Sequence, residues 1–278
     1  MAGCIVLLRS YRMFPSFHIF GWEVGTYGIM VVLGAVACTF VGNNLIKRFG
    51  RDIYDFLLIL LSIGAGIFIG AHIVYGITHL DLIIKAFQNI GELWFDKFRD
   101  VMIYAIGGMV FYGGFLGGIA AIGVYCKFDK KIKARNLLDI YAVLTPLFHV
   151  FGRIGCFLGG CCYGIESPFG FTVHGNTINP DINDVNRLPV QLFESALNLL
   201  IFLFILYLFK KSIMTDKLIF VYMLVYPVVR FTLEFFRGDE IRGFLFGLST
   251  SQWISILLFV TAIIGLTICH FRKKPVTE

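Results

Sequence analysis

Phe56-Leu57-Leu58-Ile59-Leu60-Leu61-Ser62-Ile63-Gly64-Ala65-Gly66-Ile67-Phe68-Ile69-Gly70-Ala71-His72-Ile73-Val74-Tyr75-Gly76-Ile77 decides the fold. A helix needs about 20 successive, mostly apolar residues to cross a hydrocarbon core of about 30 Å, and this run meets that length. Six more runs of the same character follow outward from it, at residues 27–46, 102–125, 137–157, 190–209, 218–236 and 251–268. Composition agrees: 58% of the 278 residues are hydrophobic and 15% are charged, where a soluble domain carries roughly 25% charged residues. The expected architecture is an all-α polytopic membrane protein of seven transmembrane helices. It forms one domain over residues 1–278, since neither a solenoid period nor a Ser/Pro-rich linker divides it.

Basic residues between these runs are unevenly spread. Lys47, Arg48 and Arg51, then Lys127, Lys130, Lys131, Lys133 and Arg135, then Lys210, Lys211 and Lys217, then Arg272, Lys273 and Lys274 occupy alternate loops. In the loop after the second run, Asp81, Glu92, Asp96 and Asp100 offset Lys85, Lys97 and Arg99. Basic excess marks the cytoplasmic side, so the N-terminus is expected outside and the C-terminus inside. The net charge of +6 is then explained by anionic lipid headgroups, and no nucleic-acid partner is expected. Segments 78–101 and 165–188 fall on the extracytoplasmic side. In the first, Phe87, Ile90, Leu93, Trp94 and Phe98 recur at helical spacing, which predicts an amphipathic helix lying in the interface. No continuous apolar run precedes Pro15, so neither a cleavable signal peptide nor a lipobox ending at Cys4 is expected.

Charges inside the runs carry the functional signal. Arg153, in His149-Val150-Phe151-Gly152-Arg153, and Arg230, in Tyr226-Pro227-Val228-Val229-Arg230, must each face a partner, water or a bound anion, because facing lipid costs several kcal/mol. Glu234 lies one turn beyond Arg230 and Arg237 one turn beyond Glu234, so the three share a side of the sixth helix. An internal ion-pair ladder is the plain reading. The sharper one is an anion site near the extracytoplasmic surface, because a guanidinium offers a fixed fork of donors that suits phosphate. A phospholipid headgroup is the nearest abundant anion. Asp139 and Tyr141 read as solvated interfacial residues; His72 and His149 are proton carriers or packing groups.

Glycine and cysteine cluster as well. Gly66 and Gly70 have the small-xxx-small spacing of close helix packing. Glycines 107, 108, 113, 114, 117 and 118 crowd the third run, with 107, 114 and 118 on one face. At a cost of about 1 kcal/mol per glycine in a helix, this stretch is expected to be broken and to line a cavity. Cys156, Cys161 and Cys162 bound a Gly-rich turn after the fourth run. No His pair or second Cys pair supplies a fourth ligand, so zinc is weakly indicated. A disulfide from Cys156 to Cys161 or Cys162 suits an oxidising compartment, and simple packing of small polarizable groups is the alternative.

These motifs, in order, resemble those of the prolipoprotein diacylglyceryl transferase family over nearly the whole chain: Gly21-Trp22-Glu23-Val24-Gly25-Thr26-Tyr27-Gly28, the Tyr112–Gly118 stretch, Gly152-Arg153-Ile154-Gly155-Cys156 through Gly164, Leu188-Pro189-Val190-Gln191-Leu192-Phe193-Glu194, and Tyr226 to Arg237. The resemblance implies a multi-pass enzyme of the bacterial inner membrane, acting as a monomer with its site toward the extracytoplasmic side. Such an enzyme transfers the diacylglyceryl group of phosphatidylglycerol to the lipobox cysteine of a preprolipoprotein and releases glycerol phosphate. It implies Arg153 and Arg230 as holders of the lipid phosphate, with Glu234 beside them and Tyr112 at the catalytic position of the Gly-rich motif. Tyr27, Gly113, Gly114, Cys156, Gln191, Glu194, Tyr226 and Arg237 are implied as substrate-binding residues. No metal or other cofactor is expected. Two departures stand out: Tyr112 occupies the place where the family motif starts with His, and Cys156 the place of its usual Asn. They keep open a related transferase with a glycan or glycolipid hydroxyl as acceptor. An anion transporter using the same arginines is the reading from a different class, although no repeated half or paired interrupted helices support it.

Overall fold

The computed structural model describes residues 10–12, 16–19, 22–80, 84, 110–176, 180–239 and 244–271. Among them are seven α-helices: α1 (Thr26–Ile46), α2 (Ile53–Thr78), α3 (Phe111–Phe128), α4 (Ala134–Gly159), α5 (Val190–Lys210), α6 (Leu218–Glu234) and α7 (Thr250–Phe271). Each coincides with one of the apolar runs. Six of them are long and apolar enough to cross a membrane; α6 has 17 residues. The chain is a mostly helical, multi-pass membrane protein. The interfacial helix expected around Phe87–Phe98 and the start of the third run lie outside the described residues.

Two compact units make up the chain, residues 43–138 and residues 1–42 with 139–278. In the first, α2 and α3 run against each other with their glycines in contact. A Cβ added at Gly66 would stand 2.5 Å from the Ala121 Cβ and 2.6 Å from the Gly117 carbonyl oxygen. One added at Gly70 would overlap the Gly113 carbonyl oxygen. The break expected at Tyr112–Gly118 does not occur, since α3 is continuous from Phe111 to Phe128. Backbone-to-backbone packing on α2 offsets the glycine cost, which is the use such spacings have in membranes. At the other end of the pair, Arg51 donates to Asp55 at 3.0 Å and also to Asp129. Asp129 accepts from the Lys131 N–H at 3.0 Å and from the Tyr125 hydroxyl at 3.1 Å. The Lys131 N–H, then the Tyr125 hydroxyl and the Arg51 guanidinium, hold the Asp129 carboxyl below its ordinary range.

In the second unit α1 leans on α4. A Cβ at Gly34 would meet Phe148 and Phe151 at 3.1 Å, and one at Gly155 would meet the Tyr27 ring at 3.1 Å. Asp139, expected at a solvated interface, is buried instead. Its carboxylate accepts the N–H groups of Asp216 at 2.7 Å and Leu218 at 2.9 Å. The start of α6 offers backbone donors with no intrahelical acceptor, and an acid from α4 satisfies them.

The described part of the segment at residues 165–188 contains two strands. With β1 (Ser10–Arg12), β2 (Ser16–Ile19) and β3 (Trp22–Gly25) preceding α1, it supplies β4 (Glu166–His174) and β5 (Asn186–Arg187). β4 lies between β1, parallel, and β5, antiparallel, while β2 and β3 form a hairpin. A second short hairpin, β6 (Phe244–Leu245) with β7 (Leu248–Ser249), leads into α7. These small sheets add to the all-α expectation without displacing it. They also bring the chain after α4 against the chain after α6: Ile165 donates to the Phe236 carbonyl at 3.0 Å and Gly238 to the Tyr163 carbonyl at 2.9 Å.

Candidate active site

In the unit formed by residues 1–42 and 139–278, the last turns of α4 and α6 meet the first turns of α5 and α7, and the in-membrane charges gather there. Glu194, on the second turn of α5, is 1% exposed and sits at the centre. Arg153 Nη2 lies 3.0 Å from Glu194 Oε1 and Arg230 Nη1 lies 3.9 Å from Oε2. The Tyr226 hydroxyl donates to Oε1 at 3.3 Å, and His149 Nε2 is 3.7 Å from the same oxygen. Arg230 also pairs with Glu234 at 2.7 Å and donates to the Ser251 hydroxyl at 3.1 Å. Arg237 grips Asp239 with two donors, at 3.0 and 2.6 Å, and stands 3.9 Å from Glu234. Each guanidinium thus has an acid beside it, as burial demands. Even so, Arg153 Nε and Arg230 Nη1 are buried with no hydrogen-bond acceptor in reach among the described residues.

The Cys-containing turn borders this cluster. Arg153 and Cys156 are one turn apart on α4, and beyond Gly159 the chain turns back sharply. Gly160 and Cys162 both take left-handed backbone, at φ 75° and 57°, a conformation that glycine adopts freely and cysteine rarely. Cys161 N–H donates to the Cys156 carbonyl at 3.1 Å, and Gln191 Nε2 donates to the Cys161 carbonyl at 2.8 Å. The result brings the sulfurs of Cys156, Cys161 and Cys162 within 4.8 Å of one another. All three are free thiols. The Cys162 thiol is pushed below its ordinary value by Cys156 and Cys161, and then by Arg153 and Arg237; Cys161 is pushed up by Cys156 and Cys162.

Of the residues expected from sequence, Arg153, Gln191, Glu194, Tyr226, Arg230, Glu234 and Arg237 therefore come together, with Cys156 at the edge and Tyr27 against Gly155. Tyr112, Gly113 and Gly114 belong to the other unit, where all three are buried on α3 and the two glycines pack on α2. Sequence reasoning missed Asp239 and Ser251 as partners of the arginines. Asp239 carried a weak signal, two positions after Arg237; nothing local links Ser251 to Arg230, which meet across two helices.

The model of the prolipoprotein diacylglyceryl transferase family matches residues 15–268, a range that contains every residue of this cluster. The chain belongs to that family. Curated prolipoprotein diacylglyceryl transferases align along almost their whole length. The phosphatidylglycerol–prolipoprotein diacylglyceryl transferase of Clostridium tetani is 31% identical over 261 residues, covering 93% of this chain and 98% of the relative. The second such enzyme of Clostridium perfringens is 33% identical, covering 94% and 96%. That of Campylobacter jejuni strain 81-176 is 30% identical, covering 93% and 94%.

Proposed function

We propose that this chain is a transferase that moves the diacylglyceryl group of phosphatidylglycerol onto the lipobox cysteine of a prolipoprotein, releasing glycerol phosphate. Family membership supports the reaction. The observation that carries the site is the pair of buried arginine donors with no acceptor among the described residues, Arg153 Nε and Arg230 Nη1, on either side of Glu194. Buried N–H groups are nearly always paired, and a phosphate oxygen is an acceptor of the right charge.

In this reading the acceptor sulfur attacks a glyceryl carbon, the carbon–oxygen bond breaks, and the electron pair leaves with the phosphate. The energetic demand is charge building on that leaving group. Arg153 and Arg230, held by Glu194, Glu234 and Ser251, meet it without reorganising, because their orientation is fixed before substrate arrives. Tyr226 orients Glu194 with His149 beside it, Arg237 closes the cluster beside the Cys turn, and Tyr27, Gln191 and Cys156 border the place for the acceptor. Roles for Tyr112, Gly113 and Gly114 rest on their motif alone. Loop charge supports seven spans with the N-terminus outside, so that the cluster opens to the extracytoplasmic face of a bacterial inner membrane. The chain is taken as one membrane domain and a monomer.

The test is conversion of a lipobox peptide with phosphatidylglycerol by the purified protein in detergent, read as the mass of the thioether product. Turnover abolished by Arg153→Ala and Arg230→Ala is the expected result. Consumption of lipid with the peptide left unmodified would reassign the acceptor, and no consumption of either would end the proposal.

A further inference from the structure

We infer that Cys156, Cys161 and Cys162 form a three-thiolate zinc site whose open fourth position takes the acceptor cysteine as its thiolate. The inference rests on the transferase reading above and assigns the step that reading leaves open, activation of the incoming thiol.

The geometry comes first. Three sulfurs lie within 4.8 Å of one another, and tetrahedral zinc with Zn–S bonds of about 2.3 Å separates its sulfurs by about 3.8 Å. The trio is therefore within about an ångström of the spacing a metal would impose. The backbone is already committed to this shape. Left-handed residues at Gly160 and Cys162 turn the chain back, and the Gln191 side chain fixes the Cys161 carbonyl from α5. A side chain at Gly160 would collide with Asn176. Residues beyond the turn are zipped to the chain after α6 through Gly164 and Arg237. Such outer contacts are what hold metal ligands in place.

The chemistry of the donor set selects the ion and the role. Thiolates favour soft divalent metals, zinc foremost, over magnesium or calcium. Catalytic zinc sites have three protein ligands and leave one position for substrate. Cys161 is exposed while Cys156 and Cys162 are half-buried, so the open side of the trio faces away from the packed turn. Three thiolates on a divalent ion leave one net negative charge, and Arg153, one helical turn before Cys156 on α4, supplies an opposing one. A free cysteine is only a few per cent ionised at neutral pH, whereas a metal-bound thiol is deprotonated outright.

The step balances. Binding releases the acceptor thiol proton to water, and the bound sulfur forms the S–C bond to glycerol as the C–O bond breaks toward the phosphate. The thioether product, a poor zinc ligand, then leaves.

The test uses the full-length protein in detergent, purified under reducing conditions after growth with zinc or with cobalt. About one zinc per chain is expected, falling about tenfold or more in both Cys156→Ser and Cys161→Ser. The cobalt form should show thiolate-to-cobalt charge transfer, and its spectrum should change on adding a lipobox peptide but not the same peptide with serine for cysteine. Circular dichroism of the variants and of chelator-treated wild type separates loss of metal from loss of fold. Substoichiometric metal in folded wild-type protein, or recovery of the trio as a disulfide, overturns the inference. So does bound cobalt that is indifferent to the peptide thiol. If transfer proceeds at full rate in metal-free protein, the zinc site is refuted and the transferase reading stands. If metal and thiol bind but no diacylglyceryl group moves, the site stands and the transferase reading fails.

Discussion

Arg153 on α4 and Glu194 on α5 are joined at 3.0 Å, with Glu194 buried and the Arg153 side chain 12% exposed. Neither is stable there alone, since an unpaired ion in such surroundings costs several kcal/mol. Glu194→Ala is expected to destabilise the protein by about 3–5 kcal/mol. The double variant Arg153→Ala/Glu194→Ala should lose less than the sum of the two single ones. Thermal denaturation in detergent measures both, and strict additivity would mean the contact carries no coupling.

Arg230 contacts Glu234, Ser251 and Glu194 through its two terminal nitrogens. A lysine keeps the charge but reaches with a single ammonium. Arg230→Lys should therefore lower kcat/KM by about 100-fold or more while the protein remains folded. Steady-state assays with varied phosphatidylglycerol check this. A loss under about fivefold would show that charge alone suffices.

Asp139 ties α4 to the beginning of α6 through two backbone N–H groups. Asp139→Ala leaves those donors buried without an acceptor, at a cost of about 1–3 kcal/mol. Stability should fall and kcat/KM should stay unchanged at temperatures where the variant is folded. Parallel melting curves and assays decide between that and a catalytic role.

Two glycines on α2 separate packing from flexibility. At Gly64 no atom of the described residues lies within 4 Å of an added Cβ, whereas at Gly70 the Gly113 backbone blocks it. Gly64→Ala should be neutral or gain up to about 1 kcal/mol from helix propensity. Gly70→Ala should cost about 1–3 kcal/mol by overpacking. Equal melting temperatures for the two variants would contradict the contact.

Asp129 titrates outside the spans, and its carboxyl is held low by the Lys131 N–H, Tyr125 and Arg51. A depressed folded-state pKa contributes stability that is present above the unfolded value of about 3.9 and is lost as pH falls through the folded value. Asp129→Asn should accordingly reduce stability at pH 7 and flatten its decline at the acid end. Melting temperatures across pH 3 to about 7 read the difference.

The apolar helices were legible because lipid permits few alternatives to them: α1 through α7 overlap the apolar runs, and six of them are long and apolar enough to cross a membrane. Arg153 and Arg230 were legible for the same reason: a charge in an apolar run demands company. Which company was not. Glu194 was implied only by its motif, since its meeting with two arginines depends on how α4, α5 and α6 cross. Asp139 was misread because its partners are the backbone of another helix, and backbone leaves no mark in composition. The glycines of α3 were misread because propensity was weighed without the neighbour that repays it. The cysteine trio was visible as spacing, but its convergence follows from two left-handed residues that no periodicity announces.

The pairing of Arg153 with Glu194, Arg230 with Glu234 and Arg237 with Asp239 leaves the cluster close to neutral before anything enters it. On the proposed function, a phosphate arriving there competes with carboxylates already in place, so its net gain is the difference between two similar attractions. Weak retention follows, and for a catalyst that makes a free phosphate monoester in every cycle, ease of departure is as useful as ease of capture.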